Sequence, residues 1–80
     1  MPDTIEEIDV RKIPPHKKHA TIFDTYDALD VGASFIIIND HDPKPLGYQM
    51  AAMHGEDNFS WDYLEKGPKI WKVHIGKIDE

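Results

Sequence analysis

The most constraining feature of this 80-residue chain is the apolar run from Phe35 to Ile38, which stops abruptly at the polar block Asn39-Asp40-His41-Asp42-Pro43. An uninterrupted aromatic and β-branched run favours a central strand of a sheet over a surface strand. The block that follows concentrates protonatable and metal-competent side chains. We therefore expect any functional site to lie where this strand ends.

A strand and a helix precede this run. Ile5 to Val10 predicts a short strand, which Pro14 and Pro15 prevent from continuing. Apolar residues then recur at helical spacing from His16 to Leu29, and a breaker that contains Gly32 ends the helix. Because a strand-helix-strand connection is nearly always a right-handed crossover between parallel strands, the first two strands should be parallel.

The second half of the chain predicts another helix and a hairpin. The helix runs from Pro43 to His54, although Gly47 weakens it, and the hairpin joins residues 59–63 and 71–75 through a turn at 66–69. The order β-α-β-α-β-β predicts an α/β (α+β) two-layer sandwich, a single domain over residues 1–80 in which two helices cover one face of a four-stranded mixed sheet. The predicted core consists of apolar residues from every element: Ile8, Val10, Ile22, Phe23, Tyr26, Leu29, Leu46, Met50, Trp61 and Trp71.

Composition excludes several classes of function. The formal net charge of −6 disfavours nucleic acid, because phosphate binding requires a basic surface. The absence of cysteine excludes disulfides, thiolate metal sites and thiol-based cofactors. No signal-peptide core or membrane-spanning run is present, so we expect a cytoplasmic protein without a membrane partner.

Four segments carry more specific motifs: Asp9–His16, Asn39–Leu46, Phe59–Trp61 and Gly67–Val73. Together they closely resemble the uncharacterised bacterial and archaeal family called domain of unknown function 2249, over nearly the whole chain. The resemblance implies the company of hemerythrin-like or other metal-linked modules, and hence a protein partner of redox or metal-linked type. It implies no catalytic residue.

The opening of the chain is also distantly similar to the TusA-like sulfur carriers. The similarity lies in Asp9 and Arg11 followed by the Pro14-Pro15 pair, and it implies a TusA-like fold. In those carriers a cysteine precedes the helix-starting proline and holds the sulfur, whereas Pro14 occupies that position here. We therefore expect no sulfur transfer.

The predicted topology brings two polar clusters to one edge of the sheet, because the carboxyl ends of parallel strands lie at the same edge. His16 and His19 are one helical turn apart, and with His41 they could bind a transition metal such as zinc, iron or copper. The alternative is an anion held at the free N–H groups of the helix starts. A purely structural role in helix capping is a third interpretation. The predicted ligand-binding residues are Arg11, His16, His19, Asp40, His41, Asp42 and Lys44, with Lys17 and Lys18 adding positive charge.

Two hypotheses for function follow. The favoured one is a non-enzymatic binding or adaptor domain that engages a small anion, a metal or a redox or metal protein at this edge. The alternative is a small metal-dependent or acid-base enzyme built on His16, His19 and His41. The first is favoured because a small two-layer sandwich has little volume for a closed, water-excluding pocket. The same topology predicts that His19 and His41 lie close together and that residues 40–42 are hydrogen-bonded to the first helix. His54 and His74 are expected to be exposed.

Overall fold

The computed structural model describes residues 6–78, so Ile5, the predicted start of the first strand, lies outside the described residues. The α-helices and strands follow the predicted order: β1 (Glu6–Asp9), α1 (Pro15–Ala28), β2 (Ser34–Asn39), α2 (Lys44–His54), β3 (Phe59–Lys66) and β4 (Trp71–Lys77). Short 3-10 turns at Val10–Lys12 and Glu56–Asn58 connect β1 to α1 and α2 to β3. Neither helix in the described part of the chain has the length and apolar character needed to cross a bilayer.

The four strands form one mixed sheet in the order β1-β2-β4-β3. β1 and β2 are parallel, with Ile8 opposite Ile37, which confirms the crossover prediction. β4 lies between β2 and β3 and is antiparallel to both. The two-layer α/β sandwich predicted from the sequence is therefore confirmed, and β1 and β3 form its edges.

The core lies between the sheet and the two helices. Of the residues predicted to form it, Val10, Ile22, Tyr26, Leu46 and Met50 are fully buried. Another four are half-buried and pack against the core, namely Ile8, Phe23, Leu29 and Trp61. The tenth, Trp71, is half-buried and does not belong to the core cluster of the described residues, so its assignment to the core was wrong. The sequence-based set lacks five buried strand residues: Phe35, Ile37, Phe59, Val73 and Ile75. These residues alternate along β2, β3 and β4, so they define the sheet face that the helices cover.

A buried lysine at the end of β4 donates hydrogen bonds to backbone carbonyls at the carboxyl end of α1. Lys77 is only 4% exposed, and its Nζ donates to the carbonyl of Leu29 at 2.9 Å and to that of Asp27 at 3.4 Å. The same atom lies 5.0 Å from the centre of the Tyr26 ring. The last turn of α1 contains no basic residue of its own. A cation from another element therefore complements its unpaired carbonyls and its dipole.

Three local predictions were wrong. β1 ends at Asp9, and Val10 begins a 3-10 turn, because the Asp9 side chain accepts the backbone N–H of Arg11 at 3.1 Å. His54 is half-buried, since α2 directs it at α1, where its ring centre lies 4.6 Å from that of Tyr26. His74 is also half-buried, and its Nε2 lies 2.8 Å from Ser34 Oγ on the sheet face away from the helices.

Candidate functional site

The loop after β2 lies where α1 and α2 begin, as predicted. Asn39, the last residue of β2, is only 7% exposed, and its side-chain oxygen accepts the backbone N–H of Asp40 at 2.9 Å. His41 Nδ1 then lies 2.7 Å from Asp40 Oδ1. The hydrogen bond from His41 lowers the pKa of the Asp40 carboxyl. These contacts between neighbouring residues satisfy the backbone N–H and the carboxylate of Asp40, and they allow the polar block to turn out of the sheet.

Asp42 connects this loop to β3, the strand at the opposite edge of the sheet from β1. The hydroxyl of Tyr63 on β3 donates to Asp42 Oδ1 at 2.6 Å. Burial raises the pKa of Tyr63, and the bond to Asp42 raises it further. The described residues show no hydrogen bond from residues 40–42 to α1, so that prediction was wrong. Pairing of β3 with β4 brings Tyr63 to the loop, and no local pattern in the sequence indicates this contact.

Arg11 is already paired within the chain. Its guanidinium binds both carboxylate oxygens of Asp9, at 2.8 Å and 2.7 Å. The hydrogen bond from Arg11 lowers the pKa of Asp9 to about 2, and the bond to Asp9 raises the pKa of Arg11. Asp9 thus neutralises the one arginine among the predicted ligand-binding residues.

His19 and His41 line the same small cleft, which has a volume of about 90 Å³. This agrees with the prediction that they lie close together. Lys18 shares the cleft, and its charge also lowers the pKa of Asp40. Apolar residues and Asn39 complete the lining: Val10, Ile22, Asn39, Pro43, Pro45 and Leu46. The cleft therefore offers one lysine and two imidazoles over an apolar floor.

His16 and Lys44, two of the predicted ligand-binding residues, lie outside the cleft. His16 is exposed on the first turn of α1 and does not line the cleft, and Lys44 lines a separate groove between α2 and β3. Among residues 6–78, no three His, Asp or Glu side chains form a group that could hold a metal ion. The structure therefore does not assemble His16, His19 and His41 into a ligand set, because His16 lies outside the cleft.

The helix starts offer fewer free N–H groups than expected. Pro15 and Pro45 have no N–H, and each occupies the first or second position of its helix. The amide of Lys17 already donates to the Pro14 carbonyl at 2.9 Å, and that of Leu46 donates to the Pro43 carbonyl at 3.1 Å. An anion at this edge would therefore depend on side chains more than on helix amides.

The charges of the molecule are segregated along the strands. One end of the molecule contains the last residues of β2, the first turns of both helices and the β3–β4 turn. We call it the basic end. Eight of the nine basic residues lie there: Arg11, Lys12, Lys17, Lys18, Lys44, Lys66, Lys69 and Lys72. Seven acidic residues lie towards the other end: Glu6, Glu7, Asp24, Asp27, Asp30, Glu56 and Asp57.

Sequence reasoning missed the contribution of the hairpin to the basic end. Lys66, Lys69 and Lys72 are distant in sequence from the first helix, and they reach the same end because Trp71 pairs with both Asn39 and Lys66. The only signal available was the lysine content of the predicted turn. Its position relative to the helices depends on strand order, which the local pattern does not contain.

Comparisons with known proteins agree with the motif-based resemblance. Searches of curated proteins and of solved structures found no significant match. The similarity to sulfur carriers therefore remains a prediction. The family model for "Uncharacterized conserved protein (DUF2249)" matches residues 7–77, which include most of β1, both helices, β2, the cleft and the hairpin. The chain therefore belongs to the DUF2249 family of uncharacterized conserved proteins.

Proposed function

We propose that this chain is a small non-enzymatic binding domain that presents its basic end to an acidic surface of a partner protein. The observation that carries the proposal is the segregation of charge. A chain with a net charge of −6 has eight of its nine basic residues at the end that contains the cleft. Such a charge distribution orients an approaching acidic surface and accelerates its association.

The lysines of the basic end are available for a partner. Within the described residues the ion pairs are Arg11–Asp9, His41–Asp40 and His54–Asp27, and none of them includes a lysine. Four carboxylates lie at this end, those of Asp9, Asp40, Asp42 and Glu65, and the first two are held in these pairs. Asp42 accepts the Tyr63 hydroxyl. Three of these four carboxylates thus have partners within the chain. None of the lysines at this end is held in an ion pair among the described residues, although Lys66 Nζ lies 5.2 Å from the centre of the Tyr63 ring.

The size of the cleft favours a side chain as its occupant over a free metabolite. Its volume of about 90 Å³ is well below the roughly 300–1,000 Å³ of typical small-molecule pockets. One carboxylate with its methylene group could enter beside Lys18, His19 and His41. We infer that a glutamate or aspartate of the partner occupies the cleft, while the surrounding lysines contact neighbouring acidic residues. A redox or metal-linked protein with an acidic face is the partner class that the family resemblance suggests.

A charge-matched pair of double variants tests this function. Lys17→Gln with Lys18→Gln removes two positive charges beside the cleft, whereas Ala28→Glu with Val31→Glu makes the same change in net charge at the other end. Ala28 and Val31 are exposed, and neither lines the cleft. Binding of a short polyglutamate peptide is measured by two-dimensional NMR at low ionic strength, where charge interactions between exposed groups are least screened.

We expect the peptide to shift the amide signals of Lys18, His19 and His41. The lysine variant should weaken binding about fivefold or more, and the distal variant should bind like the parent, because exposed charges act mainly over about 10 Å. Equal weakening in both variants would mean that only net charge matters and would overturn the proposal. Tighter binding of a DNA duplex than of the peptide would also overturn it.

A further inference from the structure

A second concave surface lies between α2 and the edge strand β3. This groove has a volume of about 400 Å³, within the range of small-molecule sites. Its walls are largely apolar and aromatic and come from both elements: Gly47, Tyr48, Ala51, Phe59, Trp61 and Tyr63. None of these residues lines the cleft at the basic end, so the groove is a separate surface.

The aromatic rings of the groove form an ordered wall. Trp61 and Tyr63 are successive residues on one face of β3, with ring centres 6.4 Å apart in an edge-to-face arrangement. Tyr48 stands opposite on α2 and is 69% exposed, which is unusual for a large aromatic side chain. Aromatic surfaces at these positions can contact a planar ligand by stacking or edge-to-face packing.

Gly47 explains how α2 lies so close to this wall. A Cβ atom at Gly47 would lie 3.2 Å from two carbon atoms of the Trp61 indole, closer than ordinary van der Waals contact. The helix backbone therefore lies directly against the ring. This contact packs the indole, which lines the groove, against α2. It also explains why a glycine, a residue with low helix propensity, occupies this position of the helix.

The two ends of the groove carry opposite charges. Lys44, the first residue of α2, lines the end that is continuous with the basic end of the molecule. Glu56, in the 3-10 turn before β3, lines the other end. An anionic group would be attracted to the first and repelled by the second, so this charge arrangement selects one orientation of an anionic ligand.

We propose that this groove binds a small planar aromatic or heteroaromatic molecule with one anionic group, a carboxylate, sulfonate or phosphate. The ring contacts Trp61 and Tyr63, and the anionic group lies at Lys44. The inference does not rest on the proposed partner at the cleft, since no residue that lines the groove also lines the cleft.

Three probes of related shape test the proposal: naphthalenesulfonate, the neutral naphthol, and the non-aromatic cyclohexanesulfonate. Each is titrated into the full chain while the two indole N–H signals are followed by NMR. Trp61 lines the groove and Trp71 does not, so Trp71 serves as an internal control and Trp71→Phe assigns the signals. We expect naphthalenesulfonate to shift the Trp61 signal and to bind about two- to fivefold more tightly than naphthol, because one exposed charge pair contributes about that factor. Cyclohexanesulfonate should leave the signal unchanged.

Two variants separate the charge from the groove. Lys44→Gln should remove the preference for naphthalenesulfonate over naphthol, whereas Lys69→Gln, which lies at the basic end outside the groove, should retain it. Ala51→Leu should fill the groove and weaken both aromatic probes. Equal binding of the two aromatic probes by the parent would overturn the proposal, as would an unchanged Trp61 signal with all three. Concentration-dependent broadening of Trp61 without any probe would assign the groove to a second copy of the chain and would also overturn it.

Polyglutamate binding at the cleft is read from Lys18, His19 and His41, and probe binding in the groove is read from Trp61. Failure of one proposal is therefore distinguishable from failure of the other.

Discussion

The hydrogen bond between Tyr63 and Asp42 should hold the loop of the functional site in place, and Tyr63→Phe tests this. The substitution removes one hydroxyl and retains the ring between Trp61 and Trp71, whose centres lie 6.4 Å and 6.2 Å from that of Tyr63. The lost bond is short, 2.6 Å, and its acceptor is a carboxylate. Any effect on stability should therefore come from the hydroxyl alone.

The magnitude follows from the environment of the bond. A hydrogen bond to a charged group contributes about 1.5–3 kcal/mol net when it is well buried. Both residues are only half-buried, so water can replace part of the lost interaction at Asp42. We expect Tyr63→Phe to lower the free energy of unfolding by about 1–1.5 kcal/mol, which corresponds to roughly 4–12 °C in Tm for a domain of this size.

Urea unfolding provides the measurement, with tryptophan fluorescence and far-UV circular dichroism as two probes of the same transition. Tyr48→Phe is the matched control, because Tyr48 is exposed and makes no hydrogen bond in the described structure. It should change stability by less than about 0.5 kcal/mol. A double-mutant cycle with Asp42→Asn should give a coupling energy of about 1 kcal/mol between the two sites.

Two results would refute this reasoning. The first is equal stability of Tyr63→Phe and Tyr48→Phe, and the second is additivity of the effects of Tyr63→Phe and Asp42→Asn. Either result would mean that the bond does not hold the loop. The pH dependence gives an independent check. Folding raises the pKa of Tyr63 above its ordinary value of 10.0, so its contribution is complete below that pH and is lost as the pH rises through the higher folded value. Tyr63→Phe should reduce this alkaline loss of stability.

Three further outcomes are expected. Lys77→Met should lower the free energy of unfolding, measured in urea, by about 2 kcal/mol, because it removes the buried donor to the Leu29 carbonyl. Substitution of an exposed lysine, Lys69→Met, should have little effect, and equal effects of the two would contradict the capping role of Lys77. Gly67→Ala should destabilise more than Gly32→Ala, because both residues have positive φ but only at Gly67 would a Cβ atom lie 2.8 Å from the Trp71 ring. The reverse order in thermal unfolding would show that this contact relaxes freely. Folding lowers the pKa of Asp9 from 3.8 to about 2, so its stabilising contribution is complete above about pH 4 and is lost as the pH falls towards 2. Asp9→Asn should reduce that acid loss in urea titrations and Asp24→Asn should not; identical profiles would exclude the Arg11 pair as its source.

The outline of the fold was predictable because it depends on local signals. The change from strand to helical periodicity, the proline pairs at both helix starts and the lysine-glycine-proline turn each act over a few residues. The strand-helix-strand connection then predicted that β1 and β2 are parallel, as they are. The convergence of His19 and His41 on one cleft followed from that topology, since both residues lie near the carboxyl ends of parallel strands.

Other parts of the site depend on which elements become neighbours. Tyr63 bonds to Asp42, and the hairpin lysines join those of the first helix, only because β4 inserts between β2 and β3. The sequence makes His16 and His19 equivalent candidate ligands, but the helix directs only His19 into the cleft. The glycine that weakens α2 in sequence is the one that accommodates the Trp61 indole.

The sequence by itself determined the order of elements, the parallel crossover and the chemistry present where β2 ends, because periodicity, backbone restrictions and chain connectivity are local properties. Only the tertiary structure decided that the basic residues share one end, that Tyr63 bonds to Asp42 and that an aromatic groove opens between α2 and β3. These features depend on distances between residues far apart in the chain, which are set by strand register and side-chain packing.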